Sequence, residues 1–241
     1  SANGRTFKQV VGYKNLTELN ERLLKFSYRV LKKDCLDLPD KIYLKRIIQM
    51  TDEQKRIYKD LQKQAKALLS TGTVTITHII TQLIRLHQVS CGFVGLDGGG
   101  LTELSSQRLP ELMEILEETD GKVIIWANYR HDIRKIEQEL TKVYGAESVG
   151  TYHGDVKQER REEVINEFQN LDSPLRFFVG NTQTGGYGIT LTAASTVIYY
   201  SNNYDLEKRL QSEDRAHRIG QVNKVTYIDI VCERTVDEKI V

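Results

Sequence analysis

The chain contains few of the short motifs by which a catalytic centre is recognised in a sequence. No G-x-x-x-x-G-K-[ST] segment occurs in its 241 residues, and its one Gly-Lys pair, Gly121-Lys122, continues with Val. Such a segment forms the loop whose backbone N–H groups cradle nucleotide phosphates. The metal-binding tetrad Asp-Glu-x-His is absent as well. The chain therefore carries neither of the two motifs that would hold a nucleotide and its metal ion.

Cysteine and histidine are too scattered to indicate a metal site or a disulfide framework. The three cysteines, Cys35, Cys91 and Cys232, form no C-x-x-C pair, and the five histidines show no metal-ligand spacing. An odd number of widely spaced cysteines indicates reduced thiols in a cytosolic setting. No apolar run approaches the roughly 18 residues of a membrane span, and no secretory leader is visible. We therefore expect no metal site, no membrane partner and a cytoplasmic location.

The balance of charge changes along the chain. The net charge is only +1 at pH 7, and hydrophobic residues make up 39% of the sequence, which is enough for a sizeable core. Residues 1–70 nevertheless contain 16 Lys and Arg against 8 Asp and Glu, whereas the rest contains 18 against 25. A basic arm on a mildly acidic body could follow a phosphate backbone. The pattern equally fits solvated helix faces, because these Lys and Arg alternate with Leu and Ile at helical spacing.

Helix and strand patterns alternate throughout the second part of the chain. Such alternation implies a parallel sheet with helices on both faces. Ligands of such sheets sit outside the carboxyl ends of the strands. Asp155 with Gln158, Asp205, and Thr235 with Glu238 are the expected helix N-caps. The predicted strands are residues 122–127, 148–152, 175–179, 196–200 and 225–231, and the predicted helices are 107–119, 131–144, 155–169, one from 205 that holds 211–218, and one from 235.

The first part of the chain carries two sequence signatures of helix N-termini. Asn15 with Glu18 predicts a helix that ends near residue 33, and Thr51 with Gln54 predicts one that ends near residue 70. In each pair a polar side chain caps the first turn and the later residue reaches back to the cap. We therefore expect two capped helices before residue 71.

A glycine-rich segment at residues 95–100 marks the expected boundary between two parts of the chain. Before it, residues 73–90 form a helical pattern, and residues 41–50 are apolar and β-branched enough for a strand. We therefore divide the chain into a mainly helical segment, 1–100, and an α/β domain, 101–241.

The most specific stretch of the chain is Gln211-Ser-Glu-Asp-Arg-Ala-His-Arg-Ile-Gly-Gln221. It places Arg215 and Arg218 three residues apart. Positions three apart on a helix share a face, so both guanidiniums can reach one target. A guanidinium is a planar, permanently charged fork that suits phosphate oxygens. The alternative is a solvated charged helix in which Glu213 and Asp214 pair with these arginines.

A glycine-rich loop precedes this stretch, between apolar runs at residues 175–179 and 196–200. Glycine permits close approach of a backbone, and hydroxyl and amide groups can bind nucleic-acid phosphates without reading bases. The alternative is that this segment is only a flexible turn. The polar residues of the glycine-rich loop are Asn181, Thr182, Gln183 and Thr184, and its inner glycines are Gly185, Gly186 and Gly188.

Residues 178–221 resemble motifs V and VI of the Swi/Snf-like branch of superfamily 2 helicase-type ATPases, the DNA translocases that include chromatin remodellers. The resemblance covers nearly the whole chain and looks most like bacterial and phage members. It implies a RecA-like C-terminal lobe at 101–241, preceded by a lobe-linking segment. Residues 121–130 resemble motif IV, 151–168 motif IVa, 235–241 the segment that closes the lobe, and 37–43 and 51–58 the stretch between lobes.

The resemblance assigns roles to residues that match the family's motifs. Arg215 and Arg218 match its arginine fingers, the side chains that neutralise charge developing on the γ-phosphate. Gln211 and Asp214 would orient their helix. Gly186 and Gly188 would support the ATP site, because the glycine loop couples DNA to the nucleotide state in this family.

The resemblance also implies a DNA-facing surface at the ends of three strands. A lone histidine is more often structural, so that role stays open for His153, and we expect Trp126 in the core. Gln183 departs from the Lys or Arg that the family often has there. The expected DNA-binding residues are Asn128, Arg130, His153, Gly154, Asn181, Thr182, Gln183, Thr184 and Gly185.

The resemblance finally implies that the ATP-binding motifs and the residues of this chain belong to two different lobes. The phosphate loop and metal-binding acids belong to a first lobe that this chain lacks, so ATP and Mg²⁺ would be held mainly there. We expect duplex DNA and that N-terminal RecA-like lobe as partners, a cytoplasmic bacterial or phage protein, and no ATPase activity in this chain alone. The alternatives are a lobe of a strand-separating superfamily 2 helicase and a nucleic-acid-binding module without chemistry.

Overall fold

A computed structural model describes residues 12–28, 30, 36–70, 76–96, 98–184 and 188–240. The chain forms two compact units, Ser1–Asp37 and Leu38–Val241.

The smaller unit contains the helix α1 (Leu16–Leu24). Two expectations for this helix were wrong. Asn15 has a left-handed φ of 58°, so its side chain makes no capping hydrogen bond, and Glu18 instead pairs with Arg22 at 2.7 Å. The helix ends at Leu24, well before residue 33.

The larger unit begins with β1 (Lys41–Ile48), α2 (Asp52–Ser70), α3 (Ile76–Cys91), β2 (Phe93–Gly95) and β3 (Leu101–Glu103). It continues with α4 (Arg108–Glu117), β4 (Lys122–Trp126), α5 (Arg130–Tyr144), β5 (Val149–Tyr152) and α6 (Gln158–Gln169). It ends with β6 (Phe177–Gly180), β7 (Ala194–Tyr199), α7 (Leu206–Ala216) and β8 (Val225–Cys232). Short 3₁₀ turns lie at Ala146–Ser148 and Val236–Lys239.

Six strands form one sheet in the order β1-β8-β7-β4-β6-β5, and every neighbouring pair is parallel. The central strand β4 is buried along its whole length, as expected for a strand covered on both faces. The architecture confirms the predicted α/β, RecA-like parallel sheet. All carboxyl ends therefore meet at one edge, where the loops after β4, β5 and β6 come together.

Helices cover both faces of this sheet. One core cluster joins β4 and β6 to α4 and α5 through residues such as Leu112 and Ile136, which are fully buried. The other joins the opposite face to α6 and the end of α7 through Phe168 and Ala216. Trp126 is fully buried in the second cluster, so the expectation of a core tryptophan is confirmed.

The segment before residue 100 is tied to the sheet more closely than its sequence indicated. Strand β1 pairs with β8 over its full length, from Lys41 with Val225 to Ile48 with Cys232. The glycine-rich residues are the turn of an antiparallel hairpin, in which Phe93 pairs with Glu103. The compact unit thus begins at Leu38 and includes both sides of residue 100. A functional division at residues 100 and 101 stays a prediction.

The expected helix caps met different outcomes. Thr51 and Gln54 form the reciprocal pair: the Gln54 N–H donates to Thr51 Oγ1 at 3.3 Å, and the Thr51 N–H donates to Gln54 Oε1 at 3.0 Å. Asp205 caps α7 by accepting from the Lys208 N–H at 3.3 Å. Asp155 caps nothing, since α6 begins later, at Gln158. Thr235 caps a short 3₁₀ turn rather than a longer helix.

Two cysteines, Cys91 and Cys232, are buried free thiols, and Cys35 lies outside the described residues. No helix in the described ranges has the length and apolar character that crossing a membrane requires.

Candidate functional site

A polar groove of about 200 Å³ opens where β4, β5 and β6 end. It brings together seven of the residues that the sequence predicted to face DNA. Because the three strands are parallel neighbours, the loops after them converge on this one edge. The residues that line this polar groove are Asn128, Arg130, His153, Gly154, Asn181, Gln183 and Thr184.

Asn181 fixes the shape of the polar groove. Its side-chain Nδ2 donates to the carbonyls of Ala127 at 3.2 Å and Asn128 at 2.7 Å, which ties the end of β6 to the end of β4. Its Oδ1 accepts from the Gln183 N–H at 2.8 Å, forming a local turn. The Gln183 side chain is left exposed at the rim.

Asn128 is held from the far side by residues that the sequence reasoning missed. Its backbone N–H donates to Ser201 Oγ at 2.9 Å, and its Oδ1 accepts from Asn203 Nδ2 at 3.3 Å. Ser201 and Asn203 directly follow β7, the strand beside β4. A polar run at the carboxyl end of a neighbouring parallel strand is the signal that could have found them.

Arg130 stands at the rim, with 60% of its side chain exposed, and pairs with Asp155 at 2.9 Å. Exposed pairs of this kind contribute little to stability and can exchange partners. Arg134 approaches the other Asp155 oxygen at 3.7 Å. A Cβ atom on Gly154 would lie 3.5 Å from Arg130 Nη2, an ordinary van der Waals distance, so Gly154 lies directly beside this guanidinium. Asp155 therefore positions two arginines beside the groove instead of capping α6.

His153 has a largely structural environment. Its side chain is 10% exposed, and its Nδ1 accepts from the Asp155 N–H at 3.3 Å. That bond places the ring proton on Nε2. Desolvation lowers the pKa of His153 below its ordinary value, against the opposing charge of Asp155. The ring is therefore neutral near pH 7 and offers the groove an N–H dipole instead of a charge.

The remaining loop residues are placed differently from one another. Thr182 is buried and does not line the groove. Gly185 and Gly186 lie outside the described residues. Gly188 has a φ of +65°, a left-handed conformation in which glycine is favoured because it has no Cβ.

The arginine segment, residues 215–218, begins on α7 but does not stay helical. Helix α7 ends at Ala216, and His217 has φ −98° and ψ 80°, so Arg218 lies beyond the helix. The expectation that a helical face presents both arginines was therefore wrong. The helix stops here because the buried Gln221 side chain donates a hydrogen bond from Nε2 to the Ala216 carbonyl at 3.2 Å, and because His217 Nε2 contacts the Pro39 carbonyl oxygen at 2.7 Å.

The two arginines nevertheless act on each other. Partial burial, followed by the charge of Arg218, lowers the pKa of Arg215 below its ordinary value, while Asp214 opposes this. Arg218 Nη1 donates to the Ile189 carbonyl at 3.3 Å, and the Leu191 N–H donates to the Arg215 carbonyl at 2.9 Å. Two adjacent like charges, tied by hydrogen bonds to the end of the glycine loop, form a local site that favours an anion.

Glu213 already has partners other than these arginines. Its carboxylate accepts from Lys41 Nζ at 2.9 Å, Tyr43 Oη at 2.7 Å and Arg209 Nε at 3.0 Å. Glu213 thereby joins α7 to β1. Gln211 contacts Glu207 at 2.9 Å on the surface of α7, so its side chain does not bracket the arginines.

Gln221 has a larger structural role than its sequence suggested. It is 5% exposed, and its Nε2 donates to the carbonyls of Ala194 at 2.9 Å, Thr192 at 3.2 Å and Ala216 at 3.2 Å. One amide group thus joins the start of β7 to the end of α7. Gln221 therefore holds the arginine segment against the sheet.

A buried ion pair, which the sequence gave no reason to expect, supports the same edge. Arg108 is fully buried, pairs with Asp237, and donates to the carbonyls of Tyr200 and Ile230. Asp237 also accepts from Ser90 Oγ at 2.7 Å, which joins α3 to the sheet. Charged residues are rarely fully buried unless they are paired, so this network fixes the elements around the groove.

Comparisons with known proteins agree with this geometry. Residues 106–220 match the family described as Helicase conserved C-terminal domain. YwqA of Bacillus subtilis is 28% identical over 94% of this chain and 26% of its own length. The CHD3-type chromatin-remodeling factor CHR7 of Arabidopsis thaliana is 28% identical over 97% of this chain and 20% of its own length. The chain thus spans about a quarter or less of these relatives.

Two solved structures from Sulfolobus solfataricus are similar to the chain. The SWI2/SNF2 ATPase core in complex with dsDNA is 29% identical with a TM-score of 0.66, and the match covers 93% of this chain and 48% of that one. The SWI2/SNF2 ATPase C-terminal domain is 26% identical with a TM-score of 0.61, and the match covers 83% of each chain. The polar groove and the arginine segment both lie within residues 106–220. The sheet, the loops and the relatives agree, and together they support a Swi/Snf-like C-terminal lobe of the superfamily 2 helicase type.

Proposed function

We propose that this chain is the lobe of an ATP-dependent duplex-DNA translocase that supplies arginine fingers and contacts to the DNA backbone. The observation that carries the proposal is the connection between the polar groove and the arginine segment. Asn181 builds the groove at the start of the glycine loop, and Ile189 and Leu191 bond to the arginine segment at its end. A short stretch of backbone and two hydrogen bonds therefore connect the groove to the arginine segment, and a conformational change in one site can be transmitted to the other.

Duplex DNA is the ligand that the comparisons favour for the groove. The similar Sulfolobus ATPase core was solved with double-stranded DNA. The groove itself offers amides, one hydroxyl, an exposed arginine and a neutral histidine, which are groups that bind phosphates and position a duplex without reading its sequence. We therefore expect backbone contacts from Arg130, Gln183 and Thr184, with Asn128 and Asn181 shaping the surface.

ATP is the second proposed ligand, and the arginine segment is the part of this chain that would contact it. A half-buried Arg215 beside Arg218 suits the negative charge of a triphosphate, and Mg²⁺ bound with ATP would neutralise charge that develops on the transferred phosphoryl group. Among the described residues no group of three His, Cys, Asp or Glu could hold a metal ion, so we assign Mg²⁺ to a partner lobe. In this chain, Arg215 and Arg218 would orient and neutralise the γ-phosphate.

Testing the proposal requires the longer native protein. We expect ATP turnover that rises with duplex DNA, and displacement of a triplex-forming strand without separation of the duplex. Unwinding of the duplex would favour the strand-separating helicase. Absence of any turnover with both lobes present would favour the non-catalytic binding module. A bacterial or phage origin stays a prediction, since the similar proteins include bacterial, archaeal and plant examples.

A further inference from the structure

A second cleft, of about 340 Å³, lies between α2 and the end of β8. We call it the basic cleft, because it contains three cations, Lys55, Lys59 and Arg234, and a single carboxylate, Glu233. Its other lining residues are Gln49, Met50, Tyr58 and Gln62.

Both walls of the basic cleft are firmly held. Tyr58 is 3% exposed, and its Oη accepts from the Val236 N–H at 2.9 Å, which joins α2 to the turn after β8. Gln54 Nε2 donates to the Val89 carbonyl at 2.6 Å, which joins α2 to α3. The Glu233 N–H donates to the Ile48 carbonyl at 2.8 Å. The backbone segments that carry Lys55, Lys59 and Arg234 are therefore held in place by these hydrogen bonds.

Arg234 occupies a backbone conformation that disfavours it. Its φ is 59°, in the left-handed region that glycine adopts without strain. Its N–H donates to Glu238 Oε1 at 2.9 Å, which fixes this conformation. Its side chain is 87% exposed and approaches its neighbour Glu233 at 3.6 Å. This arginine therefore presents its guanidinium at the cleft rim from a backbone conformation that favours glycine.

The basic cleft opens onto a row of lysines along α2. Lys55, Lys59 and Lys63 recur every four residues, which places them about 6 Å apart on one side of the helix. Lys55 and Lys63 have only exposed pairs, with Asp52 at 3.4 Å and Asp60 at 3.7 Å. Such pairs are weak and yield readily to a polyanion. The row suits a linear polyanion better than a compact one.

The basic cleft is separate from the polar groove. Helix α3 packs against α2 and reaches the groove side, where His87 Nδ1 lies 2.8 Å from Tyr129 Oη, beside Asn128. The Phe93 ring also packs on Tyr129 with centroids 5.2 Å apart. The helix α3 and the β2–β3 hairpin therefore stand between the two surfaces.

We propose that the basic cleft and the lysine row bind the phosphodiester backbone of a nucleic acid, at a second contact independent of the polar groove. The choice of nucleic acid as the polyanion rests on the proposed function. The contact is electrostatic, because lysines and an exposed arginine bind phosphates without selecting bases.

The experiment measures binding of this chain to a labelled duplex over a series of salt concentrations. The test variant Lys59→Ala/Arg234→Gly removes two cations, and its glycine suits the left-handed backbone. The control Lys142→Ala/Lys224→Ala removes two exposed cations that line neither surface, one near the end of α5 and one just before β8. Each lost phosphate contact lowers the log–log salt slope by roughly 0.9, so the test variant should lose about 1 to 2 and the control almost none. A test variant that matches the control would overturn the proposal.

Two further variants separate possible failures. Lys55→Ala/Lys59→Ala leaves the turn after β8 untouched and should lower the slope equally, with thermal unfolding as the check that both variants fold. Arg130→Ala reports on the polar groove. Loss of binding in Arg130→Ala with no change in the cleft variants refutes the cleft and leaves the proposed function standing. Loss in the cleft variants alone supports the cleft and contradicts the role of the groove.

The nature of the polyanion is decided by the ligands used. Duplex and single-stranded DNA of equal length share the backbone chemistry, so a lowered slope with either supports the proposal. Tripolyphosphate is the compact probe. If the cleft variants weaken tripolyphosphate binding but neither form of DNA, the cleft is a small-anion site and the proposal is wrong.

Discussion

The backbone N–H of Leu191 donates to the backbone carbonyl of Arg215 at 2.9 Å. This hydrogen bond joins the end of the glycine loop to the arginine segment, and Arg218 adds a second bond, to Ile189. The loop begins at Asn181, in the polar groove. A proposed DNA surface and a proposed nucleotide-facing surface are thus the two ends of one short segment.

Replacing Arg215 or Arg218 with Ala in the longer native protein should lower ATP turnover by about 10³-fold, because arginine fingers stabilise the transition state. Lys should restore little, since an ammonium cannot reproduce the forked geometry. ATP and DNA affinities should change much less than turnover. Steady-state turnover, nucleotide affinity and thermal unfolding should be measured for the parent and each variant. Near-normal turnover in either Ala variant would remove that arginine from the mechanism.

This chain alone should not turn over ATP, with or without duplex DNA. Its arginines can neutralise a transition state only after a nucleotide has been positioned, and the sequence contains no phosphate loop to position it. Phosphate release should be followed with purified chain, using the longer protein as the positive control. Steady DNA-stimulated release from the chain, abolished by Arg215→Ala, would refute the expectation.

Arg130→Ala should weaken duplex binding about equally for all base sequences and lower the log–log salt slope by roughly 0.9. The guanidinium is 60% exposed at the groove rim, where it can exchange Asp155 for a phosphate. Affinity should be measured at several salt concentrations on duplexes of different sequence. Arg160→Ala is a matched control, because that arginine pairs with Glu163 and Glu167 on the surface of α6. A sequence-dependent loss would contradict pure backbone contact.

Gln221→Leu should destabilise the lobe by about 2 kcal/mol, because buried carbonyls at the ends of α7 and β7 lose their donor. Gln221 Nε2 serves three carbonyls, and its Oε1 accepts from the Asn223 N–H at 2.9 Å. Chemical denaturation measures the loss. The neighbouring Val222 is 83% exposed, so Val222→Ala should change stability little. Equal stabilities for the two variants would show that the amide does not hold these elements together.

Asp132→Asn should stabilise the lobe more at pH 8 than at pH 4. Burial raises the pKa of Asp132 from 3.8 to about 7, against the charge of Arg108. A raised folded-state pKa means that its favourable contribution is present below pH 3.8 and is lost as the pH rises through 7. Asn cannot ionise, so it avoids this loss.

The measurement for Asp132 is the difference in unfolding free energy between variant and parent from pH 4 to pH 8. His87, whose pKa is lowered by burial to about 4, titrates in both proteins and therefore cancels in the difference. A difference that stays constant with pH would mean that Asp132 ionises normally in the folded lobe.

Local sequence patterns determined the elements of the larger unit well. Alternating apolar runs and amphipathic stretches predicted the five strands β4 to β8, because buried parallel strands and covering helices differ in hydrophobic period. Thr51 with Gln54 and Asp205 were found as caps, since a cap depends on residues within one turn. The convergence of Asn128, His153 and Asn181 also followed from sequence, because parallel strands end at one edge.

Tertiary contacts decided what the local patterns missed. Asn15 and Asp155 have side chains that could cap a helix, yet Asn15 has a left-handed backbone, and Asp155 pairs with Arg130 while α6 begins only at Gln158. Helix α7 stops before Arg218 because Gln221, five residues later, donates to the Ala216 carbonyl, and because His217 contacts the carbonyl oxygen of Pro39, 178 positions away in sequence.

The sequence by itself determined the alternation of strands and helices, and with it the edge at which the loops meet. The tertiary structure alone decided that β1 joins β8 and that Arg108 pairs with Asp237 at the core of that edge. The physical reason is range. Hydrophobic period and capping act within a few residues, whereas strand partners and buried charges are chosen by burial among residues more than a hundred positions apart.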